Sequence, residues 1–196
     1  DVMEVLTKVS KSPDTSVLIL GETGTGKELI AKAIHYRSPN FEGPMISVNC
    51  AAIPKDLIES ELFGYERGAF SGADKAGKAG LVEKAAEGTL FLDEVGDLSQ
   101  EAQAKLLRFL EEGEYYRVGG TKKRMAQTRI VAATNMNLPD MVEDGRFRQD
   151  LYHRLAVIRI EVPSLNQRRE DIVPIAKHYL LEFARKFGKT FTAIAA

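Results

Sequence analysis

"SVLILGETGTGKELIAKAIHY", Ser16 to Tyr36, is the stretch whose reading decides the fold. Ser16–Leu20 is a short apolar, β-branched run, Gly21–Glu28 carries three glycines, and Lys27–Tyr36 is amphipathic at helical spacing. The order is strand, glycine-rich turn, helix. Such a turn lets several backbone N–H groups face inward at a helix N-terminus, where the helix dipole also favours an anion. The spacing Gly-x4-Gly-Lys between a strand and a helix is specific for a nucleotide phosphate site, against the plainer reading of a tight strand-to-helix turn. It selects Gly21, Glu22, Thr23, Gly24, Thr25, Gly26, Lys27, Glu28 and Leu29 as ATP-binding candidates, with Lys27 reaching for the β and γ phosphates. Glu28 stands where Ser or Thr usually meets magnesium, and a carboxylate beside a triphosphate needs a cation or solvent between them. The magnesium geometry is therefore open at this stage.

Outward from that unit, strand-like and helical stretches alternate. Apolar or β-branched runs recur at Met45–Asn49, Thr89–Asp93, Arg129–Thr134 and Ala156–Val162. Amphipathic stretches lie at Lys55–Phe63, Gln100–Glu111 and Arg146–Leu155. Five short strands separated by helices predict an α/β fold: a parallel sheet covered on both faces, with ligands at the carboxyl ends of its strands. Pro163 ends the fifth strand and reads as a boundary. Residues 1–163 form the expected nucleotide-binding unit, and residues 164–196 the start of a helical one, with a helix from about Glu170 to Lys186.

Composition narrows the class. The 196 residues hold 27 Lys+Arg against 28 Asp+Glu, a net charge of −1, which argues against a nucleic-acid surface spread over the whole domain. The single cysteine, Cys50, has no partner within the chain, and a reducing cytoplasm fits best. No apolar run reaches the roughly 20 residues of a membrane-spanning helix, so no membrane contact is expected. The opening "DVMEVLTKVS" places Val2, Val5, Leu6 and Val9 on one helical face and reads as a domain cut from something longer.

The chemistry sits after the third strand. In "TLFLDEVGDLS" four strand-like residues drive Asp93 and Glu94 to the carboxyl end of the sheet, beside the phosphate loop. Asp93 is the natural magnesium partner and Glu94 the group to orient or deprotonate an attacking water. Taken alone, Asp-Glu before a turn, with Ser99 capping the next helix, is the plainer reading; the phosphate loop reverses the preference.

Taken together, "GETGTGKELIAKAIH", "ELFGYERGAFSGA", "GTLFLDEVGDLS", "RIVAATN" and "FRQDLYHRL" closely resemble the central AAA+ domain of sigma-54-dependent transcriptional activators, the bacterial enhancer-binding proteins of the nitrogen-regulatory protein C group. The resemblance is collinear to about Ile172. It implies a P-loop AAA+ ATPase that uses ATP and Mg2+, assembles as a ring, most simply a hexamer, and remodels the sigma-54 RNA polymerase holoenzyme so that promoter DNA opens. DNA itself would be contacted only through a domain not in this chain. Glu28 resembles this family's own phosphate-loop variant.

Residue roles follow from the same resemblance. Asn49 matches the residue that restrains the catalytic Glu94, and Thr134 with Asn135 matches the first sensor of the γ-phosphate. Arg148 and Arg154 match arginine fingers that reach a neighbouring subunit's nucleotide, a role suited to a planar, permanently charged fork. Gly68, Ala69, Phe70, Ser71, Gly72 and Ala73 match the sigma-54 contact loop, in which Ser71 replaces the usual Thr. There an exposed Phe70 would serve as the apolar contact, against the plainer reading that it folds back onto its own helix. "EYYRVGGTKKRMAQTR" reads as a hairpin about Gly119-Gly120 and matches the family's second surface loop, with Lys122, Lys123 and Arg124 taken as a solvated tip. After Pro163 the sequence Leu165-Asn166-Gln167-Arg168 departs from the family's Leu-Arg-x-Arg. The second-sensor arginine is absent, so the helical lid is expected to be truncated. Two other readings remain: an AAA+ remodeller of the chelatase or unfoldase type, and a nucleotide-binding scaffold without turnover.

Overall fold

The computed structural model describes residues 9, 12, 14–70 and 76–190. Within the chain two compact units are distinguished, Asp1–Val162 and Pro163–Ala196. In chain order the first contains β1 (Val17–Leu20), α1 (Lys27–Tyr36), β2 (Met45–Asn49), α2 (Ile58–Phe63), β3 (Gly64–Tyr65), β4 (Lys78–Ala79), α3 (Leu81–Lys84) and β5 (Thr89–Asp93). It continues with α4 (Gln100–Glu112), β6 (Glu114–Tyr115), β7 (Arg124–Met125), β8 (Arg129–Thr134), α5 (Leu138–Glu143), α6 (Gln149–Leu155) and β9 (Ile158–Glu161).

Five strands form one sheet in the order β2-β5-β8-β1-β9, every pair parallel. The alternation of side chains along each strand divides the core between the two faces. Val17, Ile19, Phe91, Val131, Ala133 and Ile160 point to one side, where Ala31 and Ile34 of α1 cover them. Leu18, Leu90, Leu92, Ile130 and Ala132 point to the other, under α2 to α6. The three-layer α/β architecture is the one that the strand and helix periodicities predict. Each fully buried aliphatic side chain contributes roughly 1.5–3 kcal/mol to holding the layers together.

Helix α4 shows why the local sequence folds as it does. Ser99 caps it, its hydroxyl accepting from Ala102 N at 3.3 Å, and Gly113 closes it in the left-handed region at φ 68°. Ala102, Leu106 and Phe109 recur at helical spacing and are buried, with Gln103 as the polar exception among them.

Several boundaries differ from those expected. Helix α2 begins at Ile58 rather than Lys55, because a turn with Leu57 N donating to Pro54 O comes first. Helix α6 begins at Gln149, not Arg146: Gly145 is left-handed, and Arg146 N and Phe147 N both donate back to Met141 O. β9 is shorter than Ala156–Val162. Of the opening apolar face, Val9 is buried, and Val2, Val5 and Leu6 lie outside the described residues.

In the second unit a short 3-10 turn at Arg169–Asp171 precedes α7 (Ile172–Phe187), which therefore starts two residues after the expected Glu170. Tyr179, Phe183 and Phe187 stack along it at i, i+4 spacing and stay exposed.

Candidate functional site

The sheet register gathers the predicted groups at its carboxyl end. Leu20, the last residue of β1, pairs with Thr134 of β8, and Asn49 of β2 pairs with Asp93 of β5. The phosphate loop leaves β1 with Gly21 N donating to Thr134 O at 3.3 Å. Gly24 and Gly26 take φ of 84° and 93°, a region that side chains with a Cβ rarely adopt, and Gly26 opens α1. The loop thus ends on a ten-residue helix whose first N–H groups lack intrahelical partners.

Lys27 is 7% exposed and curls back over the loop, its Nζ donating to Gly21 O at 2.9 Å and Glu22 O at 3.3 Å. It also lies 3.6 Å from Glu94 Oε1. Glu28 forms an exposed pair with Lys32 at 2.8 Å along the helix. Leu29 is exposed as well.

Asp93 and Glu94 are adjacent carboxylates with one lysine between them and the loop. Burial, and then the charge of Glu94, push the Asp93 carboxyl above its ordinary value, while Lys27 pulls the other way. Glu94 has a left-handed backbone, φ 52° and ψ 51°, an uncommon conformation for a residue with a side chain and one that stores strain. Neighbouring Cys50 is buried, and burial together with the charges of Asp93, Asp97 and Glu94 pushes its thiol up to about 12, which makes it a packing residue and no nucleophile.

The two polar residues at the end of β8 divide their work. Thr134 is fully buried, and its hydroxyl accepts from Met136 N at 3.0 Å, so it shapes the strand end. Asn135 reaches both partners: its N donates to Glu94 Oε2 at 3.2 Å and its Nδ2 to Thr23 Oγ1 at 3.0 Å. The Asn49 side-chain oxygen accepts from Ala51 N at 2.9 Å and Ala52 N at 3.2 Å, capping the short turn after β2. In this state Glu94 is held by Asn135 and Lys27.

Arg148 and Arg154 do not join this cluster. Arg148 precedes α6 as its N-cap residue and pairs its guanidinium with Asp150 through contacts of 3.0 and 2.7 Å. Arg154 donates twice to Leu110 O, at 3.1 and 2.9 Å, and lines a cleft with Asp14, Thr15, Ser16 and Thr128. Those four residues precede β1 and β8, so the cleft opens at the amino end of the sheet, away from the phosphate loop.

The loop and the hairpin are joined more closely than the sequence suggests. β3 pairs with β4 and β6 with β7, each antiparallel, and the two hairpins meet at Val118. Val118 N donates to Gly64 O at 2.8 Å and Glu66 N to Val118 O at 3.0 Å. A Cβ on Gly119 would come within 3.0 Å of the Ala69 backbone, so only glycine allows this approach. Side chains add to the join: Arg117 reaches Glu83 at 2.9 Å, Tyr115 Oη donates to Glu83 at 3.0 Å, and Arg124 meets Glu66 at 3.1 Å. Burial and the bond to Glu83 push the Tyr115 phenol up to about 12.

Arg124 is therefore part of the join and not of a solvated tip, which corrects the reading of the three hairpin charges; Lys123 pairs with Glu114 at 2.7 Å and Lys122 is exposed. Gly68, Ala69 and Phe70 lie at the start of the loop, and Ser71, Gly72 and Ala73 lie outside the described residues. Phe70 is 38% exposed and sets its ring edge-on against Tyr65, with centres 5.1 Å apart.

Comparison with known proteins places this arrangement. A family model described as the sigma-54 interaction domain matches residues 1–161. The chain is 53% identical over 188 residues to the DNA-binding transcriptional regulator NtrC of Escherichia coli K12, covering 96% of this chain and 40% of that protein. It is 52% identical over 192 residues to the Nif-specific regulatory protein of Azospirillum lipoferum, covering 97% of this chain and 31% of the relative. The crystal structure of NtrX from Brucella abortus in complex with ATP superposes with a TM-score of 0.90 at 38% identity, covering 99% of this chain and 41% of the other. The chain thus spans about two fifths or less of the length of these relatives. Among the described residues no helix is long and apolar enough to cross a membrane.

Proposed function

The chain belongs to the sigma-54 interaction domain family, an AAA+ P-loop fold, and from that membership we propose that it hydrolyses ATP to remodel sigma-54 RNA polymerase. The observation that carries the reading is the convergence of Lys27, Glu94 and Asn135 on one phosphate loop. Residues Gly21 to Leu29 bind the nucleotide, with Lys27 leaving the carbonyls of Gly21 and Glu22 for the phosphates. Asn135 holds Glu94 by a backbone N–H and spans to Thr23 by its amide, so a change at the γ-phosphate is transmitted to the carboxylate. Glu94 orients and deprotonates the attacking water. Asn49 and Thr134 lie beside this line: Asn49, whose side chain here caps Ala51 and Ala52, would have to leave those bonds to restrain Glu94, and Thr134 fixes the sensor's backbone.

The charge balance fits a magnesium ion. Asp93 and Glu94 face one lysine, and burial first, then the charge of Glu94, raise the Asp93 carboxyl. Among the described residues no three metal-ligating side chains cluster, and magnesium bound by one carboxylate together with phosphates requires no such cluster. Asp93 would hold it, and it would neutralise charge on the transferring phosphoryl group.

The trans role of the arginines is supported by their positions. Arg154 opens onto the amino end of the sheet and cannot serve the phosphate loop of its own chain, whereas a neighbour in a ring brings such a residue to the next nucleotide. NtrX has been crystallised with ATP, and this chain takes the same ligand in our proposal. ATP hydrolysis per chain is expected to rise with protein concentration, measured by phosphate release across the range in which rings form. A rate per chain that stays constant from monomer to ring would refute the shared site.

A further inference from the structure

Gln103 is fully buried in the middle of the apolar stripe of α4, at a position where the helical periodicity calls for an aliphatic residue. A buried amide destabilises unless its donors and acceptor are matched. Here they are. Gln103 Nε2 donates to Leu98 O at 2.9 Å and Arg146 O at 3.1 Å, and its Oε1 accepts from Arg148 N at 2.9 Å. The two bonds to the far segment fall on either side of Phe147, whose side chain is itself buried. Gln100, one turn earlier and exposed, donates to Gly145 O at 3.1 Å and Arg146 O at 3.0 Å. Two glutamines of α4 therefore grip the backbone that delivers Arg148. That helix follows the strand that ends at Asp93, with Glu94 next in the chain.

We propose that Gln103 is a positioning residue: its buried amide sets the backbone at Arg148 so that the guanidinium projects at the correct angle into the neighbouring subunit's ATP site. The proposal rests on the reading of Arg148 as a group acting between subunits. In the single chain Arg148 is engaged with Asp150, but that pair is exposed and contributes little, so the side chain is readily released. The backbone beneath it is fixed by buried bonds. An aliphatic residue at position 103 would fill the same space and leave Arg148 N and Arg146 O without these partners. A displacement of about 1 Å in a group that stabilises a transition state is enough to lower turnover by roughly a hundredfold.

The test uses the full-length protein in mixed rings. Gln103→Met is expected to bind a fluorescent ATP analogue as the wild type does, with KM little changed and kcat lowered about tenfold or more. Mixed with Glu94→Gln, which supplies a sound Arg148 but has no water-activating carboxylate, it is expected to recover activity above either variant alone. A residue that merely supports its own subunit's fold would show no such recovery. Arg148→Ala mixed with Glu94→Gln is the control. Recovery there without recovery for Gln103→Met overturns the positioning role, as does wild-type turnover by Gln103→Met alone. Failure of the Arg148→Ala control overturns the trans reading itself. Should Gln103→Met fail to fold, Gln100→Ala, an exposed truncation, is read in the same mixture: a smaller loss of kcat that mixing restores supports the proposal, and a loss that mixing leaves unchanged overturns it.

Discussion

Glu94 and His35 mark the two ends of the sheet at the residue scale. Glu94 is the carboxylate that the sequence assigns to water activation, and its left-handed backbone was not legible there, because nothing in "LDEVGD" requires a positive φ. His35, by contrast, carries no sequence signal at all. It is buried at the end of α1 with Nδ1 3.0 Å from Thr89 Oγ1. Burial, and then the charge of Arg129, pull its pKa below the ordinary 6.5. Arg129 is itself buried and donates to Val9 O at 2.9 Å. The sign follows: an unfolded chain takes up a proton near 6.5 that the folded chain refuses, so stability is lost as pH falls from there through the lower folded value. His35→Gln removes that contribution. The drop in melting temperature between about pH 7.5 and about pH 5.5 is expected to be smaller in the variant than in the wild type, by differential scanning calorimetry. An equal drop in both would show that His35 does not titrate in this window.

Among the elements, the long amphipathic and apolar runs were legible and the short ones were not. β2, β5, β8 and α1 coincide with their sequence patterns because each pattern is wholly local. The four-residue α3 and the six-residue α5 are too short to show a period, and their helical form comes from packing. The join between the two hairpins was illegible for another reason. Arg117 meets Glu83 across 34 residues and Arg124 meets Glu66 across 58, separations that no periodicity encodes. This join bears on Phe70. With its base tied to a second hairpin and its ring leaning on Tyr65, Phe70 is presented at the start of the loop without contact to the phosphate site. Phe70→Ala is therefore expected to leave ATP hydrolysis nearly intact while abolishing coupling to sigma-54, measured as co-sedimentation with sigma-54 in the presence of an ATP transition-state mimic. Loss of hydrolysis together with coupling would make Phe70 a structural residue.

For the molecule as a whole, the proposed function divides the candidate site between two chains. The phosphate loop, Asp93, Glu94 and Asn135 converge, and the two arginines lie elsewhere, Arg148 against Asp150 and Arg154 against Leu110 O. Arg154 has a structural role within its own chain: Leu110 O belongs to the last turn of α4, where carbonyls lack helical partners, and the guanidinium fills that gap. Arg154→Ala is thus expected to lower stability by about 0.3–1 kcal/mol and, separately, to remove the concentration-dependent part of ATP hydrolysis, with melting curves and turnover telling the two apart. Persistence of that part in Arg154→Ala would leave Arg148 as the sole finger.

The tie at Val118 has a consequence for how such a domain responds to substitution. Both of its hydrogen bonds are made by the main chain, so exchanging the side chain at position 118 leaves them standing, and an alanine scan would pass over the position in silence. Among substitutions at this position, only one that removes the amide hydrogen cuts either bond. Proline at 118 deletes the donor to Gly64 and spares the acceptor for Glu66, which separates the two hairpins by one strand of attachment while the phosphate loop is untouched.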